Sequence, residues 1–175
     1  MKAKLIKCPS SEDWIFCKQC ALVTVGKQAI TEPTQDWKHK MLEARHSPIR
    51  VLQFAFELDI PYWVSVHLVR HIHAQPFVKS QRNDRQNNYD RTKAPQDAMV
   101  SHIMSVNAQE LVFMSHKRLC RQADPFTRAV MKEIVRQVVE ICPEFKEVLV
   151  PLCEYRNKYC SEFYPCGRIG KKNEN

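Results

Sequence analysis

Glycine is scarce: only three of the 175 residues are glycine. That excludes a glycine-rich phosphate loop of either the GxGxxG or the Walker A kind. No uninterrupted apolar run approaches the ~18–20 residues of a membrane-spanning helix. The opening Met1-Lys-Ala-Lys-Leu-Ile-Lys carries too short an apolar stretch for a signal peptide, so a cytoplasmic protein is expected. Acidic residues are outnumbered, 19 Asp+Glu against 27 Lys+Arg, for a formal charge of +8. Such an excess favours nucleotides, nucleic acids or an acidic surface as partners without choosing among them. The hydrophobic fraction of 44% and charged fraction of 26% are those of an ordinary globular chain, and the length suits a single domain over 1–175.

Cysteine, by contrast, is abundant. Eight occur, and they cluster: Cys8, Cys17 and Cys20 near the start, then none until Cys120, with Cys142, Cys153, Cys160 and Cys166 closing the chain. Without a secretion signal these are expected to be thiols or metal ligands rather than disulfides.

The local pattern predicts a mixture of strands and helices. Ala21 to Val25 reads as a short strand ended by Gly26, and residues 28–36 as a loop. Asp36 is expected to cap a helix carrying Trp37, Met41 and Ala44, which Pro48 stops. Arg50 to Leu58 suits a strand with one buried face. Pro61 opens a helix carrying Trp63, Val64, Leu68 and His71, broken at Gln75-Pro76. Residues 79–93 are a polar loop. Asp97 is expected to cap a long helix over Ala98–Arg121, bearing Met99, Met104 and Met114 as packing residues. Asp124-Pro125 starts a second helix, ending near Cys142-Pro143 and pairing antiparallel with the first. The tail over 153–175 lacks apolar periodicity, so something other than a core must order it; Gly170 to Asn175 are expected to be frayed. Trp14, Trp37 and Trp63 read as core or interface anchors, and His39 and His102 as surface or satisfied core residues.

The segment from Arg70 to Lys93 holds six basic residues (Arg70, Lys79, Arg82, Arg85, Arg91 and Lys93) against Asp84 and Asp90. Several guanidinium groups on one loop suit a phosphate cradle, and Ser80 adds a hydroxyl. A solvated loop charged for solubility is the plainer reading of the count alone. RNA binding is a further one, although only Phe77 and Tyr89 offer aromatic platforms.

The order of these residues adds information. Arg70-His71-Ile72, seven residues, then Ser80-Gln81-Arg82 resembles the Arg-His-Arg, seven residues, Ser-x-Arg signature of the flavin-dependent thymidylate synthases. The flanks resemble the family too. His46-Ser47-Pro48 precedes an apolar strand, Arg91-Thr-Lys-Ala-Pro95 resembles an Arg-x-x-Leu-Pro element, and Val106-Asn107-Ala108 resembles Val-Asn-Ala-Arg. Arg118 and Lys132-Glu133-Ile134 follow in register, so the similarity spans roughly residues 20–142.

The resemblance implies an α+β fold, with a mainly antiparallel sheet packed by long helices as in the thymidylate synthase-complementing proteins. It implies a reductive methylation of deoxyuridine monophosphate to thymidylate, with methylenetetrahydrofolate as carbon donor and FAD, recharged by NADPH, as hydride source. It implies a homotetramer with sites between subunits. By position, Ser80, Arg82, Arg91, Arg118 and His67 would contact the nucleotide, with Arg118 and Ser80 nearest the chemistry, and Arg70, His71, Ser47 and Asn107 would touch FAD. The flavin supplies the hydride chemistry, so no activated nucleophile is needed. A mononucleotide rather than a nucleic acid is then the expected partner.

The chain departs from the family pattern at Ile72 (for Arg), Arg50 (for Glu), Gln109 (for Arg), Phe113 (for Asn), His67 (for Gln) and Val78 (for Glu). His73, Lys79 and His116 are the candidates to replace the lost charge. Two alternatives therefore stand beside the synthase: a relative that binds or differently modifies a pyrimidine deoxynucleotide, and a small zinc-containing RNA-binding protein.

Cys153-x6-Cys160-x5-Cys166 is not a standard zinc-finger spacing. With Cys120, however, it makes four thiolates available, and a zinc ion there would pin the apolar-poor tail. Against this stands the reading of Cys142 and Cys153 as buried core thiols. Cys17-Lys-Gln-Cys20 is a CxxC pair without a second pair at finger spacing; it would be redox-active if it began a helix.

Overall fold

A computed structural model describes residues 2–28, 31–82, 84 and 90–169. Arg85 and Tyr89 of the basic segment, and the end of the tail over 170–175, lie outside the described residues. Four strands, β1 (Lys2–Lys7), β2 (Gln53–Pro61), β3 (Ala74–Val78) and β4 (Met99–Asn107), form an antiparallel sheet in the order β1-β2-β4-β3. The helices are α1 (Ser11–Val23), α2 (Gln35–Glu43), α3 (Tyr62–Val69), α4 (Ala108–Arg118), α5 (Pro125–Ile141) and the single-turn α6 (Leu152–Tyr155). The expected α+β class is what the chain adopts.

Strand alternation builds the core. Phe54, Phe56, Leu58 and Ile60 of β2 stand beside Val106, Met104, His102 and Val100 of β4, all buried, while Glu57, Asp59, Ser101 and Ile103 face out. A period of two puts one set on each face. Each fully buried large side chain contributes about 1.5–3 kcal/mol of transfer free energy. Phe54 meets Phe145 edge-on at 5.2 Å, and Trp14 of α1 closes on the same Phe145 at 6.2 Å.

Several sequence expectations are overturned. Ala21 to Val23 belong to α1, not to a strand. A capping box between Ser10 and Asp13 starts this helix, and it ends with Gly26 at φ +69°, where Gly26 N–H donates to Val23 O and Lys27 N–H to Leu22 O. This is the Schellman arrangement that a left-handed residue completes. Thr34, not Asp36, caps α2, accepting from Trp37 N; Asp36 sits in the first turn. That helix ends at Glu43 rather than at Pro48, which instead opens a 3-10 turn over Ser47–Val51. The strand after it is accordingly shifted to Gln53–Pro61.

Pro61 is the N-cap of α3, which ends at Val69 and leaves His71 beyond it. Gln75-Pro76 lie inside β3. A proline is tolerated there because β3 is an edge strand and needs hydrogen-bond donors on one side only. The largest correction concerns Ala98–Arg121, which is β4 followed by α4 rather than one helix. Asp97 lies in a turn before the strand, and Asn107 is the true cap, its Oδ1 accepting from Glu110 N at 2.9 Å. Met99 and Met104 are therefore strand residues. His102 misleads the periodicity: it counts as polar yet is fully buried on the inner face. The second long helix, capped by Asp124, forms as expected.

Candidate functional site

A cleft of about 850 Å³ opens where three separate stretches of chain meet. The end of α2 and the 3-10 turn supply Arg45 and Arg50. The α3–β3 connection supplies Arg70, His71, Ile72 and His73. The β4–α4 junction supplies Asn107, Gln109, Glu110 and Phe113. Asn107 is placed by its capping role, and Glu110, Phe113 and Gln109 follow on the first turns of α4. Arg45 is held with φ +51°, in the left-handed position that closes α2, where glycine is the usual residue. Its guanidinium lies over the Tyr155 ring at 4.9 Å, tying the cleft rim to α6.

Three side chains are joined in sequence at the cleft: Glu110 and His71, both buried and in its lining, and Arg118, which is half-buried and outside the lining. His71 Nδ1 lies 3.0 Å from Glu110 Oε1, and Arg118 Nε donates to His71 Nε2 at 3.0 Å. A guanidinium can only donate, so Nε2 must accept, and the proton of the imidazole sits on Nδ1, directed at the Glu110 carboxylate. Arg118 Nη2 also donates to the His67 carbonyl at 2.8 Å. Two protein acceptors therefore fix the guanidinium plane. Burial lowers the Arg118 pKa, and the neighbouring charge of Arg70 acts in the same direction. Two guanidinium groups this close favour an anion between or beside them.

Arg50 Nε donates to Gln109 Oε1 across 59 positions of sequence in a short hydrogen bond. The two positions are departures from the family pattern, and they are partners in space.

A second cleft, of about 490 Å³, is lined by Tyr62, Val78, Lys79, Gln81, Arg82, Arg91 and Thr92. Here Ser80 Oγ accepts from Arg82 N at 3.3 Å, and the Arg82 fork is engaged by Asp84 through Nε (2.9 Å) and Nη2 (2.6 Å).

The residues singled out from sequence thus divide. Arg70, His71 and Asn107 come together at the larger cleft, with Arg118 joined to them through His71. Arg82 and Arg91 line the smaller one, with Ser80 beside them. Ser47 is exposed on the 3-10 turn two residues from Arg45 and is not part of either lining. His67 lines neither cleft: its ring bonds to Thr127 Oγ1 at 2.8 Å and stands edge-on to Trp63. His71 reaches the lining, and its two ring nitrogens are engaged by Glu110 and Arg118. Of the three candidates to replace lost charge, His73 lines the larger cleft and Lys79 the smaller, whereas His116 is buried against Tyr155, with ring centres 4.7 Å apart.

Sequence reasoning missed Arg45 and Glu110. Glu110 carries a signal, being three residues past an Asn cap; the placement of Arg45 depends on a backbone conformation that has no sequence signature here. Among the described residues, no three His, Cys, Asp or Glu side chains are gathered as a ready metal site. No protein-family model matches the chain, and no curated protein matches it.

Proposed function

We propose that the chain is a divergent flavin-dependent thymidylate synthase, converting deoxyuridine monophosphate to thymidylate with methylenetetrahydrofolate as carbon donor and NADPH as reductant. The observation that carries this reading is the larger cleft. Arg70, His71 and Asn107, the positions that the resemblance implies for FAD, come from two distant parts of the chain and share one wall of it.

The chemistry of the lining fits a flavin dinucleotide. Arg45, Arg50 and Arg70 offer guanidinium groups to a dianionic pyrophosphate, and the exposed side chains of Ile72 and Phe113 offer apolar surface to a flat ring. The pairing of Arg50 with Gln109 supports it further. The family pattern has a carboxylate at the first position and a guanidinium at the second; here the guanidinium is supplied from the opposite side of the same contact. A cation is thereby kept in the cleft despite both departures.

Bound flavin would supply the hydride chemistry. The residues of the chain bind and orient. Glu110 and His71 hold Arg118, whose remaining N–H groups are free to meet negative charge on a pyrimidine; a permanently charged, preoriented donor is suited to that task. Arg82, Arg91 and Lys79 at the smaller cleft suit a nucleotide phosphate. The same proposal includes a homotetramer whose sites are completed between subunits, in the cytoplasm.

An FAD titration followed by flavin fluorescence tests the reading. Saturable micromolar binding is expected, with a further spectral change on adding deoxyuridine monophosphate. Arg50→Ala should weaken FAD at least tenfold, about 1.4 kcal/mol. Absence of saturable binding at millimolar FAD would overturn the proposal. The separate basic cleft would then favour the second reading, a pyrimidine-nucleotide binder that has lost the flavin.

A further inference from the structure

Of the arginines that line the larger cleft, Arg45 is the one set by an unusual backbone. The turn that closes α2 uses the Met41 and Leu42 carbonyls, which accept from His46 N–H at 3.2 Å and Arg45 N–H at 3.1 Å, with Arg45 at φ +51°. The residue is exposed, it lines the cleft, and among the described residues it has no carboxylate partner. What its guanidinium meets is the ring of Tyr155, 4.9 Å from the ring centre. Tyr155 is fixed in two ways. Its hydroxyl donates to the carbonyl of Glu43, the last residue of α2, across 112 positions of sequence, and its ring centre stands 4.7 Å from that of the buried His116 of α4. Burial first, and then the Arg45 charge, lower His116 to about 4, so at neutral pH the imidazole beside Tyr155 carries no charge and does not compete with the guanidinium for the ring. The single-turn α6 is itself held. Pro151 before it is buried, and Lys117 of α4 pairs with Glu162 beyond it at 3.2 Å.

We propose that Tyr155 is a positioning residue of the larger cleft, holding the Arg45 guanidinium at the rim in readiness for the phosphate groups of the bound ligand. An unpaired arginine on a surface samples many rotamers, and ordering it only when the ligand arrives weakens binding. Stacked on a ring that packing and a hydrogen bond already fix, it waits near one pose. The contact uses the face of the guanidinium and leaves its N–H edge for phosphate oxygens. A carboxylate holding the same group would cancel the charge that the ligand needs. The ligand class, a phosphate-bearing dinucleotide, rests on the flavin reading; the pairing of Tyr155 with Arg45 does not.

The test uses the full chain and two readouts. In proton–nitrogen NMR correlation spectra the Arg45 Nε–H signal, assigned by its loss in Arg45→Lys, should be displaced by the Tyr155 ring current in the wild type. It should stay displaced in Tyr155→Phe and return to an ordinary position in Tyr155→Leu. In fluorescence titrations Tyr155→Leu should bind FAD about fivefold more weakly and Tyr155→Phe within about twofold of wild type, and the Tyr155→Leu, Arg45→Ala double variant no more weakly than Arg45→Ala alone. A merely structural loss would instead add to the effect of Arg45→Ala. An undisplaced Arg45 signal in the wild type overturns the proposal, as does an unchanged FAD affinity in Tyr155→Leu or additivity in the double variant. If the wild type binds no FAD, the flavin reading fails alone and inorganic pyrophosphate becomes the probe. It should then shift the Arg45 signal of the wild type and, at the same concentration, not that of Tyr155→Leu; equal shifts in both, or none in either, overturn the positioning role.

Discussion

At the scale of single residues, the Glu110–His71–Arg118 chain links the lining of the larger cleft to a half-buried guanidinium. Arg118 is the residue on which the proposed chemistry rests, and its two protein acceptors are both interior. Arg118→Ala is expected to abolish thymidylate formation while the protein still folds. Leaving His71 Nε2 and the His67 carbonyl without a donor should cost about 1–3 kcal/mol of stability. Urea unfolding and a turnover assay on the same preparation check both halves. Two other histidines set a pH dependence. His102 and His116 are buried, each with an Nε2 that has no hydrogen-bond partner among the described residues, and burial lowers both to about 4 from an ordinary 6.5. Around His116 the charges of Arg45, Arg156 and Lys117 push the same way, against a hydrogen bond donated by the ring to the Val148 backbone; His102 has only burial and the hydroxyl of Ser65. Below pH 6.5 the unfolded chain takes up protons at these rings and the folded chain does not. Stability is therefore expected to fall as pH drops from 6.5 towards 4, by a few kcal/mol in all. Denaturant titrations at pH 7 and pH 5 measure it, and His116→Phe should flatten the slope.

At the scale of elements, the strands show how the fold protects itself. β1 is an edge strand, and its exposed backbone is met by a side chain of α5: Gln137 Oε1 accepts from Leu5 N–H and Gln137 Nε2 donates to Ala3 O, both at 2.7 Å. An amide side chain thus stands in for a missing strand and blunts the edge. Gln137→Leu should cost about 2 kcal/mol and speed exchange of the Leu5 amide, read by denaturant unfolding and hydrogen exchange. Asp124 takes the first two free N–H groups of α5, so Asp124→Ala should cost about 1 kcal/mol. α5, which sequence reasoning placed well, carries strong periodicity and an explicit cap; the buried face of β2 was legible, but its bounds lie three residues further on than the pattern predicts. The sequence of β4 imitates a helix, because its methionines, serines and His102 match a helical spacing and Asp97 offers a false cap. Only the pairing of Phe54 to Val106 and Phe56 to Met104 across the sheet makes the strand unambiguous.

At the scale of the whole molecule, two separate clefts are each lined by several cations. Arg45, Arg50 and Arg70 line one, and Lys79, Arg82 and Arg91 the other. A mononucleotide and a dinucleotide cofactor suit that division better than a polymer. Deoxyuridine monophosphate is expected to bind with a modest dependence on salt, and single-stranded polynucleotide weakly. A steep salt slope for polynucleotide, the mark of many neutralised phosphates, would favour the RNA-binding alternative instead. Among the described residues, no helix is long and apolar enough to cross a membrane.

The sequence by itself determined the α+β class, the buried face of β2, the start and end of α5, and the concentration of cations and thiols in particular stretches. These depend on local periodicity, caps and composition, which neighbours in sequence specify. Tertiary structure alone decided that Arg50 meets Gln109, that His71 accepts from Arg118, and that Arg45 belongs to the cleft. It also drew the tail onto the end of α4. Each of those facts joins residues far apart in the chain, or turns on one backbone angle. The packing of the sheet against its helices fixes such relations, and no local pattern encodes them.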